Sequence, residues 1–159
     1  MSYVRFGVMI ATATIVMYGL MYLNTYAIDH VWFSQTRVWM AVLMGAVMAL
    51  IMLSFMLNMY KNNRINIAIV AAAIALFVGA LWLVRSQETV FDVAYMKAMI
   101  PHHSIAILTS RRAHIRDPRV RKLADQIIES QVREIGEMKQ LIADPVSYTH
   151  LTLPTTPYV

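Results

Sequence analysis

Residues 65–84 read INIAIVAAAIALFVGALWLV, with Asn66 as the one polar side chain. An α-helix rises about 1.5 Å per residue, so a stretch of this length crosses the roughly 30 Å hydrocarbon core of a bilayer. Two similar stretches precede it. Residues 6–23 are apolar apart from Gly and Thr, and residues 38–60 carry only Ser54 and Asn58 as polar members. The reading is three transmembrane helices, at 6–23, 38–60 and 65–84, within a lipid-embedded region 1–84. The first apolar run is longer than the usual signal-peptide core of about 7–15 residues, and Thr25-Tyr26-Ala27 is a poor cleavage site, so this span is read as retained.

Charge divides the chain in the same way. The protein has 159 residues, 58% of them hydrophobic and 14% charged, whereas soluble domains run at about 25% charged. Between Met1 and Val84 the ionic side chains are Arg5, Asp29, Arg37, Lys61 and Arg64; all others fall between Arg85 and Asp144. The net charge of +5 is modest. Several of the positives lie where bilayer edges would anchor them, so no nucleic-acid partner is indicated. The absence of cysteine excludes disulfides and thiolate metal sites. Arg5, Lys61 and Arg64 share one side, while Arg37, offset by Asp29, and Arg85 share the other. The positive-inside bias then favours an internal N-terminus and an extracytoplasmic 85–144, in a bacterial inner (plasma) membrane.

Two rows of small residues, Ala41-Gly45-Ala49 and Ala71-Ala75-Gly79, would let the spans pack closely as a bundle. Met40, Met44, Met48, Met52 and Met56 form a thioether ladder beside the first row. Each i+4 step drifts about 40° around a helix, so the ladder cannot make one straight metal path, and methionine also packs apolar cores. Trp32, Trp39, Tyr60 and Trp82 fall at expected interfaces, where aromatic rings anchor spans.

The water-facing part 85–144 reads as an antiparallel helical hairpin, which makes the fold all-α. From Glu88 to Ala113, Val90, Phe91, Ala94, Tyr95, Ala98, Met99, Ile105, Ala106, Leu108 and Ala113 give helical spacing. Pro101 is expected to restart this helix, which would put His102 and His103 near an N-terminus. Asp117-Pro118 is a cap followed by a first-turn proline. The second helix then runs from Pro118 to about Ala143, with Val120, Leu123, Ala124, Ile127, Ile128, Ile135, Met138 and Leu141 recurring, and Asp144-Pro145 stops it. A turn near Ile115-Arg116 sets His103 level with residues 129–131, Met99 with 133–135 and Met96 with 136–138. Gln131, Glu134 and Met138 then lie opposite the first helix.

Met99-Ile100-Pro101-His102-His103, with Met96 one turn earlier, combines imidazoles and thioethers. Soft or borderline ions, Cu(I) above all, favour such donors. The bland alternative is a polar pair capping a helix and bonding Glu134 or Gln131. Adjacent helical residues point about 100° apart, so one imidazole would face inward and the other a partner subunit. His114, eleven residues on, is too far along the helix to join. His30 of the first loop is on the cluster's side of the membrane and is either an accessory ligand or simply exposed. No Glu-x-x-His pair supports a di-iron oxidase, and no nucleophile triad or phosphate loop is present, so no enzyme is expected. Arg111, Arg112, Arg116, Arg119, Arg121 and Lys122 crowd the hairpin tip, as a solvated end or as a site for anionic lipid or a polyanion. Two helices cannot enclose a core alone, so homodimerisation through the hairpin is expected.

The run from Tyr95 to Ile107 with its Met-Ile-Pro-His-His core, followed by Asp117-Pro118, Leu123-Ala124, Gln131, Glu134-Ile135 and Met138, resembles the domain of unknown function 305 family over about fifty residues, Phe91 to Ile142. The resemblance implies a ferritin-like helical bundle, usually exported and in some members linked to copper, and no established enzyme activity. The site residues carried over are Met96, Met99, His102, His103, Gln131, Glu134 and Met138. The expectation is a membrane-anchored protein that sequesters or hands over copper, with the lipid bilayer, a metal ion and a second copy as partners. The alternative is a metal-free helical module for homo- or hetero-assembly. The uncharged tail 145–159 resembles translated sequencing-adapter read-through; it is expected to be disordered and artefactual, and His150 is left out of the site.

Overall fold

The structure, a computed structural model, describes residues 2–144; the tail and its expected disorder lie outside the described residues. These residues form five α-helices and two short 3-10 turns, with no strand. The helices are α1 (Tyr3–Leu20), α2 (Gln35–Phe55), α3 (Asn63–Ser86), α4 (Asp92–Arg112) and α5 (Pro118–Ala143). The first three are long and apolar enough to cross a membrane.

The span boundaries differ from the apolar runs because polar caps start the helices. Ser2, Ser34 and Asn62 each accept a backbone N–H of the first turn, so the helices begin three, three and two residues before the expected 6, 38 and 65. The second span ends at Phe55, and a 3-10 turn at Leu57–Met59 takes up the rest of its apolar run. The third continues to Ser86, where Gln87 adopts a left-handed conformation (φ 54°) and bonds back to Leu83.

The chain divides into two compact units, and the division is not a single cut near Arg85. The first unit holds 2–23 with Ser34–Phe91; the second holds Asn24–Phe33 with 92–144. In the first unit α2 is central, packing against both α1 and α3. The three spans thus pack as a bundle through α2, and α1 and α3 do not pack along each other. Tyr3 bridges them at one end: its hydroxyl accepts the Asn62 N–H (3.1 Å) and donates to Asn66 Oδ1 (3.0 Å).

Of the two small-residue rows, Ala41-Gly45-Ala49 is buried as expected. A side chain at Gly45 would run into Thr14 of α1, so this glycine permits the α1–α2 approach. Ala71, Ala75 and Gly79 are instead exposed, and α3 buries Asn66, Ala73 and Ala80. A seven-residue step returns to within about 20° of the same face. Alanine recurs around the whole of α3, so the spacing of small residues did not single out the packed side. The methionine ladder is half-buried throughout, and Met52 and Met56 pack against the Phe6–Leu53–Tyr60 cluster. Trp82 is exposed as an interfacial ring would be, whereas Tyr60 is buried against Tyr3 and Phe6.

Candidate metal centre

The second unit is an antiparallel pair, α4 and α5, with the loop Asn24–Phe33 laid on it. Helix α5 starts as expected: Asp117 Oδ1 accepts the Arg119 N–H (2.8 Å), Pro118 occupies the first turn, and the helix ends at Ala143. The Arg119 guanidinium beside it holds the Asp117 carboxyl below the usual carboxylate range.

Helix α4 corrects two expectations. It runs unbroken through Pro101, so His102 and His103 sit in mid-helix and not at an N-terminus. Proline removes one helical hydrogen bond. Here Pro101 is fully buried together with Ile100, Ser104 and Ile107, and this packing outweighs the lost bond. The buried face is also rotated. Met96, Ile100, Pro101, Ser104 and Ile107 form it, while Phe91 and Tyr95, expected inside, are exposed. On α5 the inward residues are Ala124, Ile135, Met138 and Ile142, whereas Val120, Leu123 and Leu141 face out.

The site residues do not gather at one point. Met96 and Met138 lie in one apolar cluster with Ile100, Ile107, Ile135 and Ile142, and Met99 packs against it. His103 faces Glu134, with Nδ1 3.5 Å from Oε2. This nitrogen is buried and makes no hydrogen bond, while Ser130 donates to Glu134 Oε1 (2.6 Å). His102 is exposed, its ring centroid 6.0 Å from that of His103 in an edge-on arrangement. Gln131 is half-buried and has no side-chain hydrogen bond among the described residues. His114 is exposed at the tip.

The observed partner of His103 is Glu134, about one turn beyond the expected 129–131. Helical side chains lean toward their own N-terminus. In an antiparallel pair the two therefore lean toward each other's level, and Cα positions about a turn apart can meet.

Among the described residues no three His, Asp or Glu side chains converge on one point. A hard ion needing many oxygens is therefore poorly matched. Imidazole and carboxylate meet at His103 and Glu134, while the thioethers, the donor type a soft ion favours, belong to the Ile100–Ile135 cluster. Burial pushes the His103 imidazole below its ordinary range, opposed by Glu134 and reinforced by His102. The ring is thus neutral at pH 7, the form that binds metal.

The sequence did not disclose the loop's role. Ser104, completely buried, accepts the Tyr26 N–H (2.7 Å) and lies 2.9 Å from His30 Nδ1. Trp32 packs on the cluster that holds Met96 and Met138. Lys139 donates to Asp29 (2.6 Å), and Arg111 donates to the Tyr26 hydroxyl (2.6 Å). A serine among the buried positions of α4 was the available clue, but its partners lie more than seventy residues away.

Burial also lowers the His30 pKa, with Asp29 opposing and Lys139 adding to the shift. The unfolded imidazole then binds a proton more readily than the folded one, so stability is full above about pH 6.5 and falls as the pH drops below it. Thermal unfolding followed from about pH 8 to about pH 5 should show that loss. His30→Gln should remove part of that loss, the rest belonging to His103, whose imidazole is lowered in the same way; an unchanged profile would mean that His30 makes no contribution.

Residues 81–142 match the family described as Domain of unknown function (DUF305). A 71-residue segment is 38% identical to the "Uncharacterized protein L153" of Acanthamoeba polyphaga mimivirus, covering 43% of this chain and 47% of that protein. The chain thus spans about half the length of this curated relative. No solved structure gives a significant match. The α4–α5 hairpin lies almost wholly within the residues that match this family.

Proposed function

We propose that this is a membrane-anchored metal-binding protein that sequesters or hands over copper, as Cu(I), through His103 and the thioethers beside it, on the extracytoplasmic side of a bacterial inner membrane. The observation that carries the reading is the buried, unbonded Nδ1 of His103 facing Glu134, one helical turn from Met99. Met99 itself packs on the cluster that contains Met96 and Met138. An unpaired buried polar atom costs about 1–3 kcal/mol, which a metal bond or a proton-bearing partner would offset. His103, Met99, Met96 and Met138 are the candidate ligands, with Glu134, which faces the same nitrogen, and Gln131 as further oxygen donors and His102 available to a second chain. When bound, the ion would supply a reversible carrier site and no covalent chemistry.

A second copy would enlarge this donor set. Copies related by an axis normal to the membrane hold equal residues at equal heights, so one His103 level meets the other. The exposed Tyr95, Val120, Leu123 and Leu141 support such pairing. The same exposed face also favours the rival reading, a metal-free assembly module.

The test is a Cu(I) titration of the full chain in detergent against a competing chelator, with oligomeric mass measured in parallel. His102→Ala/His103→Ala should weaken binding by about tenfold or more, roughly the worth of one lost ligand or its support. Met96→Leu/Met99→Leu/Met138→Leu keeps side-chain volume and should weaken it further. Equal, weak binding in all three proteins would overturn the copper reading. Retained dimerisation in that case would leave assembly as the function.

A further inference from the structure

Because α1 and α3 flank α2 without packing on each other, a groove remains over α2. It has a volume of about 610 Å³, and its walls include Gly7, Ala11, Gly45, Ala46, Ala72 and Ala73. The groove runs from Tyr3 to Ile15 on α1 and from Ile65 to Leu76 on α3. At 1.5 Å per residue that is roughly 17 Å, about the depth of one leaflet.

Three cations stand at the Tyr3–Ile65 end. Arg5 precedes Phe6 and Arg64 precedes Ile65, both groove residues, and Lys61 lies one turn away. All three are exposed, and none forms an ion pair among the described residues. Lys61, Asn62, Asn63 and Arg64 line a shallow depression of about 640 Å³. The only acidic side chain of this unit, among the described residues, is Glu88, beyond the opposite end of α3.

We infer that this groove binds an anionic phospholipid, with one acyl chain along α2 and the phosphate at Arg5, Lys61 and Arg64. The apolar lining matches a chain in chemistry, and its length matches one leaflet. The unpaired cations supply the charge complement, and long Arg and Lys stems can reach along apolar surface to a headgroup. A helix from a second copy suits the groove less well. In a membrane dimer equal ends share a level, so it would bring three more cations to the same mouth. A phospholipid brings negative charge to them instead.

The inference rests on the membrane-anchored reading, so the first measurement tests that alone: incorporation of the full chain into phosphatidylcholine nanodiscs. Native mass spectrometry and thermal shift then compare phosphatidylglycerol, phosphatidylcholine and inorganic phosphate as probes. Phosphatidylglycerol should be retained and stabilising, with phosphate alone inert. Each of Arg5→Gln, Lys61→Gln and Arg64→Gln should reduce the preference over phosphatidylcholine by about fivefold, the effect of one surface cation. A side chain at Gly7 would meet nothing within 4 Å, so Gly7→Leu should fold normally and still expel the lipid. Equal retention of both lipids in wild type and Gly7→Leu would overturn the proposal. So would a Gly7→Leu variant that loses a dimer without losing lipid, which would assign the groove to a second copy.

Discussion

Truncating Ile100 to alanine is expected to destabilise the hairpin by about 2–5 kcal/mol, the range for a fully enclosed large-to-small change. Ile100 is 0% exposed, at the centre of the cluster shared by α4 and α5. Its neighbours are held from both helices, so they cannot collapse far into the space it leaves. Val132→Ala serves as the control: that side chain is 52% exposed and is not among the apolar positions proposed to pair, and its loss should cost about 0.5 kcal/mol or less. Hydrogen exchange of the α4 and α5 amides in the full chain reads both. A cost at Val132 as large as that at Ile100 would mean that another surface covers that side of α5.

Ser104→Ala should release the loop Asn24–Phe33 from the hairpin. The bonding that satisfies all three partners has the Ser104 hydroxyl accepting the Tyr26 N–H and donating to His30 Nδ1, which leaves the His30 Nε2–H toward Asp29, 3.8 Å away. Alanine fits the space but strands the amide and the imidazole. Each unpaired buried group costs about 1–3 kcal/mol, which is comparable to the stability of a local opening unit. The Tyr26 amide should therefore exchange about 10- to 100-fold faster, while the α5 core amides change little. Uniform acceleration throughout the hairpin would show that the loop and the helices unfold together. Retained protection at Tyr26 would show that Trp32 packing and the Lys139–Asp29 pair hold the loop without Ser104.

The parts of this molecule that sequence reading reached are those set by local chemistry. Three apolar stretches of about the length needed to cross a hydrocarbon core leave a chain few choices, and Asp117-Pro118 starts α5 where a cap and a first-turn proline require. The Met-Ile-Pro-His-His core with Gln131, Glu134 and Met138 sufficed to indicate the family. His103 and Glu134 were expected on facing helices and lie 3.5 Å apart. Of the methionines, Met96 and Met138 lie within the core and Met99 sits at its margin.

Sequence by itself determined the number of helices, the apolar character of the first three and the hairpin at the end, because cap chemistry, hydropathy and periodicity act within a few residues of where they are read. Tertiary structure alone decided which face of α3 and α4 is buried, that α4 continues through Pro101, and that the first loop belongs with the hairpin. Those outcomes depend on contacts between residues far apart in the chain. Ser104 has no local reason to be buried until Tyr26 and His30 arrive from the first loop to share its hydroxyl.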